Sequence, residues 1–346
     1  MLKNIFITLL FVSLLVNISC SEQSVIRVEI PRYDSTIVYT HSLEEVFQLP
    51  KPTQDKAFSP YALCVYKDRL YIGDRATKTV YEYDLLPREY VTNYTHNERT
   101  DPLSISVNDE HVYIACGDYR EVQIFDRASG RYLTRLGTGV WSGAVSFATS
   151  LAQSEDYIFV RDSKVGVRVF DKKAINFTAV NNNSFFLNLD IDDLYTPGNY
   201  PANPYDMEVL GDSLYVNDIS SARTYVYSMN NIKSKITSYT KKVQYDKNTQ
   251  NGIAYVMGIE TSEDETSTLL FLRLNGANTL GFYSRKDLTE FNWSNPDLSI
   301  NKSGFDNISP TGSVVLLKDE IVYPVRDRIS IHSIRKDSII ILSPQK

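Results

Sequence analysis

The sequence predicts an all-β fold, a six-bladed β-propeller of four-stranded antiparallel blades. Three observations carry that prediction. A unit of strand, Asp-bearing turn and strand recurs six times along 346 residues, its spacing stays between 42 and 56 residues, and its strands bear apolar side chains on both faces. Periods near 40 to 50 residues with several short strands each are the mark of propeller blades.

The second strands of the repeat read RLYIGD (69–74), HVYIACGD (111–118), YIFVRD (157–162), SLYVND (213–218), LLFLR (269–273) and IVYPVRD (321–327). Each follows an acidic turn and precedes a third strand: TVYEYD, EVQIFD, GVRVFD, RTYVYS, TLGFYS and RISIHS. Four first strands open on Pro, in SPYALCVY, DPLSISVN, NPYDMEVL and SPTGSVVLL, where a missing amide donor is tolerated. In RLYIGDRATKTVYEYD, Leu70, Ile72 and Val80 are expected on one face and Tyr81 and Tyr83 on the other. Neither face of such a blade can stay wet, so each packs on a neighbour, and a ring leaves no exposed end. The ring takes residues 43–346, and a single closed ring predicts a monomer. Residues 20–42 form a tether whose last part adds a clasp strand to the final blade.

The first nineteen residues are a signal peptide: one Lys, then an apolar run from Ile5 to Val16 that is too short to span a bilayer. Ser19 before Cys20 resembles a bacterial lipoprotein cleavage box, which implies lipid on Cys20. Asn17 departs from the Leu-type residue of that box, and cleavage after Ser21 is the rival reading. Several acyl chains on one residue give stable anchoring, at about 0.8 kcal/mol per buried methylene. The implied address is the bacterial cell envelope, lipid-anchored at the outer membrane. Cys64 and Cys116 lie in apolar strand contexts and are expected to be buried thiols, with a disulfide between them as the alternative.

Net charge is -6 with no basic block, which argues against nucleic acid as a partner. Aromatics are abundant, with 24 Tyr and 15 Phe. The segment RYLTRLGTGVWSGAVSFATSLAQSEDYIFVRDSKVGVRVFD resembles an NHL-type blade, and residues 40 to 343 resemble the TolB-like six-bladed propeller lipoproteins of bacteria. That resemblance implies binding or scaffolding and carries no catalytic signature. Propeller lyases resembling this repeat use several His at matching loop positions, whereas His41, His96, His111 and His332 fall at unlike positions here.

The recurrent Asp74, Asp118, Asp162, Asp218 and Asp327 suit turns in which the carboxylate bonds the backbone two residues on. Read as a ring of carboxylates, they would instead suit a hard cation at the axis. No catalytic residue, metal ligand or cofactor is predicted. The ligand-binding candidates are Tyr61, Arg75, Trp141, Arg161, Tyr205, Asp206, Arg223, Trp293 and Arg326, on the loops and strand ends around the Asp turns. They suggest a polar-aromatic bowl for a protein or peptide partner. The alternatives are a calcium-type envelope hydrolase or lactonase with an acidic axial site, and a glycan-binding protein using Trp141 and Trp293.

Overall fold

The computed structural model describes residues 33–49, 57–137, 145–162, 165–179, 184–191, 204–218, 223–244, 254–261, 268–274, 279–285, 298–301, 315–317, 320–325 and 328–344. The chain divides into two compact units, residues 1–38 with 338–346, and residues 39–337. Of the first, the described residues are the beginning of β1 (Tyr33–Gln48) and the end of β24 (Arg328–Pro344). The second unit is the propeller.

Its first sheet is β2 (Pro60–Tyr66), β3 (Arg69–Asp74), β4 (Thr79–Asp84) and β5 (Tyr90–Tyr94). Next come β6 (Pro102–Val107), β7 (His111–Cys116), β8 (Glu121–Asp126) and β9 (Tyr132–Leu136). The third comprises β10 (Ala148–Gln153), β11 (Tyr157–Asp162), β12 (Gly166–Asp171) and β13 (Phe185–Leu189). The fourth comprises β14 (Pro204–Leu210), β15 (Ser213–Asp218), β16 (Arg223–Ser228) and β17 (Lys241–Gln244). An eight-stranded sheet holds two further sets. One is β18 (Ala254–Thr261), β19 (Thr268–Leu274), β20 (Thr279–Arg285) and β21 (Leu298–Asn301); the other is β22 (Val315–Leu317), β23 (Glu320–Val325), β24 and β1. They join where β1 runs parallel to β21, with His41 opposite Ile300. The inventory fits six blades.

First strands of successive sets lie side by side, β2 by β6, β6 by β10, β10 by β14 and β14 by β18, while β2 also meets β22 and β23. They are therefore the inner strands, and the last set closes on the first. Hydrogen bonds fix which turns share an end of the ring. In the first four blades the residue after the third strand donates its N–H to the turn between the first and second strands: Leu85 to Asp68, Arg127 to Glu110, Lys172 to Asp156 and Met229 to Asp212, at 2.8–2.9 Å. These turns form one end, and the turns after the second strands form the other, the Asp-turn end.

The seams between blades are apolar, and alternate residues of one strand serve two seams. Ile158 and Val160 face the second blade with Ile124 and Phe170, while Phe159 faces the fourth with Val216 and Tyr225. Each such side chain contributes roughly 1.5–3 kcal/mol on burial. In the first blade Leu70, Ile72, Tyr81 and Tyr83 all pack on Val322, Ile329 and Ile331, whereas Val80 joins Tyr71 and Tyr94 against the second blade. The expected partition of this hairpin is thus corrected. Antiparallel pairing sets Leu70 opposite Tyr83 and Ile72 opposite Tyr81, and directly opposed residues share a face.

Gly73 marks a close approach at this second seam. A Cβ there would lie 2.8 Å from Pro102 Cβ and 3.0 Å from Ala62 Cβ, both on inner strands. Gly73→Ala is expected to cost about 1–3 kcal/mol by overpacking, read as a lower denaturant midpoint with an unchanged slope.

Cys64 and Cys116 are both free, Cys116 fully buried, and burial pushes its thiol pKa up. Its place corrects one expectation. Pro60 pairs with Asp74, Ala148 with Asp162 and Pro204 with Asp218, but Pro102 pairs with Cys116. Cys116, not Asp118, occupies the repeat position of the Asp, and Asp118 lies two residues beyond it, exposed.

Candidate functional site

The Asp turns are structural where their side chains are described. Asp74 is fully buried and accepts the amides of Ser59 (2.7 Å) and Ala76 (3.0 Å) and the Thr77 hydroxyl. It thus ties the entry of β2 to the turn after β3. Asp162 ties the entry of the third blade's first strand to β12, accepting Ser146 N–H (2.8 Å) and Arg168 Nε (2.6 Å). The second blade has Cys116 in this position, and Gln123 with Glu121 takes over. Gln123 accepts the Thr100 hydroxyl (2.8 Å) and donates to Arg99 O (3.2 Å) and Glu121 Oε1 (2.9 Å), while Arg135 reaches Glu121 at 3.0 Å. These carboxylates are spent on backbone and guanidinium partners. Among the described residues no group of three His, Cys, Asp or Glu could hold a metal ion.

The first strands share a second feature. Their pairing slips near the start, between Pro60 and Ala62, Pro102 and Ser104, Ala148 and Leu151, and Pro204 and Asp206. Such bulges re-aim a side chain and recur beside binding sites. Tyr61, Leu103, Thr149 and Tyr205 lie at these slips, so Tyr61 and Tyr205 are repeat equivalents at the Asp-turn end.

Tyr61 and Arg75 come together there. The Arg75 guanidinium lies 5.4 Å from the Tyr61 ring centre and donates from Nε to Asp101 Oδ1 at 2.9 Å. Arg75 is 40 % exposed, whereas Asp101 is 8 % exposed, so a largely buried carboxylate orients a half-open cation. Arg161 is half-buried and donates to the Thr149 hydroxyl in its own blade. Arg223 begins β16 opposite Asp218. Tyr205 and Asp206 are placed by the backbone of β14, with Asp206 paired to Asn217. Trp141, Trp293 and Arg326 lie outside the described residues.

Sequence reasoning missed the neighbouring turn. Tyr119 lies under two cations, Lys78 Nζ at 5.8 Å and the Arg99 guanidinium at 5.3 Å from its ring centre. Its hydroxyl donates to Glu98 O (2.9 Å) and accepts from Lys78 Nζ (3.2 Å), a bond that raises the Lys78 pKa. The available signal was Asp-Tyr-Arg at 118–120, directly after Gly117, which the shifted Asp obscured. Tyr61–Arg75–Asp101 and Lys78–Tyr119–Arg99 belong to adjacent turns of the first two blades. Together they make a surface of aromatic rings held by cations, suited to recognition by stacking and charge-assisted hydrogen bonds.

His96 and His111 are packing groups. His96 stacks on Tyr132 with ring centres 3.6 Å apart, His111 on Phe177 at 4.7 Å, and burial lowers the pKa of both. Lys172, near His111 at the opposite end of the ring, donates to Gln153 Oε1 (2.7 Å) and Ser154 O (2.6 Å). Burial pulls its pKa down to about 8. An unfolded Lys titrates near about 10.4, so between these values the unfolded chain binds more protons and stability rises with pH. Lys172→Met is expected to flatten the rise of the calorimetric midpoint between about pH 8 and 10.4.

No family model matches the chain, and no curated protein matches it in sequence. Solved structures do. A streptogramin B lyase superposes with a TM-score of 0.56 at 9% identity, over 86% of this chain and 98% of that one. The computationally designed Ika8 protein gives 0.48 at 10% identity, over 84% of this chain and 99% of that one. Kuenenia stuttgartiensis hydrazine synthase gives 0.45 at 11% identity, over 86% and 70%. At such identities the likeness to the lyase speaks for architecture and not chemistry, and with the strand order it makes this chain a β-propeller.

Proposed function

We propose that this chain is a non-catalytic, lipid-anchored binding module of the bacterial cell envelope, whose propeller presents its Asp-turn end to a protein or peptide. The observation that carries the reading is the pairing of Tyr61–Arg75–Asp101 with Lys78–Tyr119–Arg99 on adjacent blades. Tyr and Arg are the side chains that dominate protein interfaces, above all where a rigid scaffold holds them at little entropic cost. Asp101 already fixes Arg75, which leaves its outer nitrogens to meet a carboxylate or carbonyl of the partner. The leader and Cys20 supply the anchor in this reading, as in the TolB-like propeller lipoproteins that the sequence resembles, and place the module at the outer membrane.

The test is cross-linking of the full chain in its own envelope, with Arg75→Ala and Tyr119→Ala beside it. Each substitution is expected to reduce recovery of one defined partner at least tenfold, about 1.4 kcal/mol or more, with folding and chelator response unchanged. A hydrolase of the calcium type would instead bind the cation tightly and lose it on substitution of an axial Asp. Unchanged partner recovery in both variants would remove the reading.

A further inference from the structure

We propose that the Asp-turn end of the first two blades is a receptor for an acidic peptide, taking two carboxylates of one extended segment on Arg75 and Arg99. The inference rests on the peptide-binding reading above and adds the chemistry of the peptide. Both guanidiniums are built in the same way. Arg75 donates to Asp101 at 2.9 Å beside the Tyr61 ring, and the Arg99 guanidinium lies 3.5 Å from Glu121 and 5.3 Å from the Tyr119 ring centre. Asp101 and Glu121 are 8 % and 0 % exposed, whereas Arg75 and Arg99 are 40 % and 44 % exposed. Each is thus a half-open fork, fixed from behind by a buried acid and set beside an aromatic ring. A planar fork held in this way meets a carboxylate through parallel N–H donors with little further loss of side-chain freedom.

The two forks are linked. Asp101 accepts the Asp118 N–H at 3.5 Å as well as Arg75, and Tyr119 carries Lys78 from the first turn together with Arg99. Arg99 reaches this end because β5 runs antiparallel to β4, so the connection from β5 to β6 crosses beside the Asp turns. The backbone adds an independent observation. Lys78 and Arg120 close the turns before β4 and β8, and both lie in the left-handed region, with φ of 54° and 57°. Glycine would adopt it without strain, and the third blade reverses through Gly166 at φ 87°. Cations stand at both positions instead, and strain kept at repeated surface positions points to function. Charge then selects the class of ligand. Arg75, Lys78, Arg99 and Arg120 stand against the buried Asp101 and Glu121 and the exposed Glu98 and Asp118, so this end offers directed donors and not a basic field. A phosphate dianion draws on net positive charge and gains little there. A singly charged carboxylate needs the fork alone.

The experiment selects short random peptides displayed on phage against the full chain and measures synthetic copies of the selected peptides by fluorescence anisotropy. These peptides are expected to carry a pair of Asp or Glu at one fixed spacing. Changing either acid of the pair to Asn or Gln should weaken binding about tenfold or more, the worth of a charge-assisted hydrogen bond. Arg75→Gln and Arg99→Gln should do the same. Arg75→Gln strips Asp101 of its cation and is checked for folding by its urea midpoint, whereas Glu121 keeps Arg135 at 3.0 Å in Arg99→Gln, which is expected to fold. Asp118→Asn, an exposed change, should tighten binding, a shift that a purely structural role would not produce. Excess inorganic phosphate should leave the peptide bound. Selection of neutral or basic peptides that Arg99→Gln releases would overturn the acidic class and leave the peptide-binding reading standing. Acidic peptides that are displaced by phosphate, or are indifferent to both arginine substitutions, would also overturn the inference. A selection that yields no peptide would remove both the inference and the reading on which it rests.

Discussion

Arg168→Met is expected to destabilise the fold by about 3–5 kcal/mol, the range for breaking a buried ion pair at one partner. Arg168 Nε and Asp162 Oδ2 are 2.6 Å apart, with side chains 7 % and 0 % exposed. Removing the guanidinium takes a charged donor from a buried carboxylate that also accepts the Ser146 N–H (2.8 Å), so part of the cost of burying that charge is no longer offset. Met keeps most of the volume, which isolates charge from packing. The check is urea unfolding of Arg168→Met, Asp162→Asn and the double variant. Each single substitution should lower the midpoint. The double should lose much less than their sum, because two opposed neutral groups replace one stranded charge. Additive losses would mean that the pair acts only as separate fillers of the seam.

The ion pair also shows why the chemistry of the Asp positions was only partly legible from residues. Repetition disclosed that an Asp belongs at the end of the second strand and that it serves a turn, and Asp74 does accept the amide two residues on, while Asp162 holds the entry of its blade through Ser146 N–H. What one sequence does not carry is the two-residue extension of HVYIACGD. By counting letters, Asp118 matched Asp74, whereas strand pairing gives that place to Cys116. The hydrophobic pattern could not settle it, since Ile114, Ala115 and Cys116 are all buried and none signals the strand's end. Blade architecture was readable because it rests on period-two alternation and turn chemistry, both local. Arg75 was also readable, sitting next to a turn Asp. Its partner Asp101 was not, because it comes from 26 residues along the chain at the entry of the next blade. Tyr119 was missed for the same reason, since its cations come from two other turns.

Tyr83→Ala is expected to cost about 3–5 kcal/mol, as for a buried aromatic truncated in a core, and to do so at the closing seam. Tyr83 is 1 % exposed and packs with Leu70, Ile72 and Tyr81 against Val322, Ile329 and Ile331, so the first blade meets the last around this ring. The consequence depends on topology. In an open array, damage at a terminal interface frays the end and spares the rest, because each repeat contacts only its neighbours. In a closed ring the last blade is held at both sides, and opening one seam exposes two apolar faces together. Unfolding of Tyr83→Ala in urea should therefore remain a single transition with an unchanged slope and a lower midpoint, matched by far-ultraviolet circular dichroism and tryptophan fluorescence. Phe159→Ala, at the seam of the third and fourth blades, should behave alike, since a ring has no privileged interface. A split transition for Tyr83→Ala with a single one for Phe159→Ala would show that the first-to-last contact is a docking of two ends and not a cooperative part of the ring.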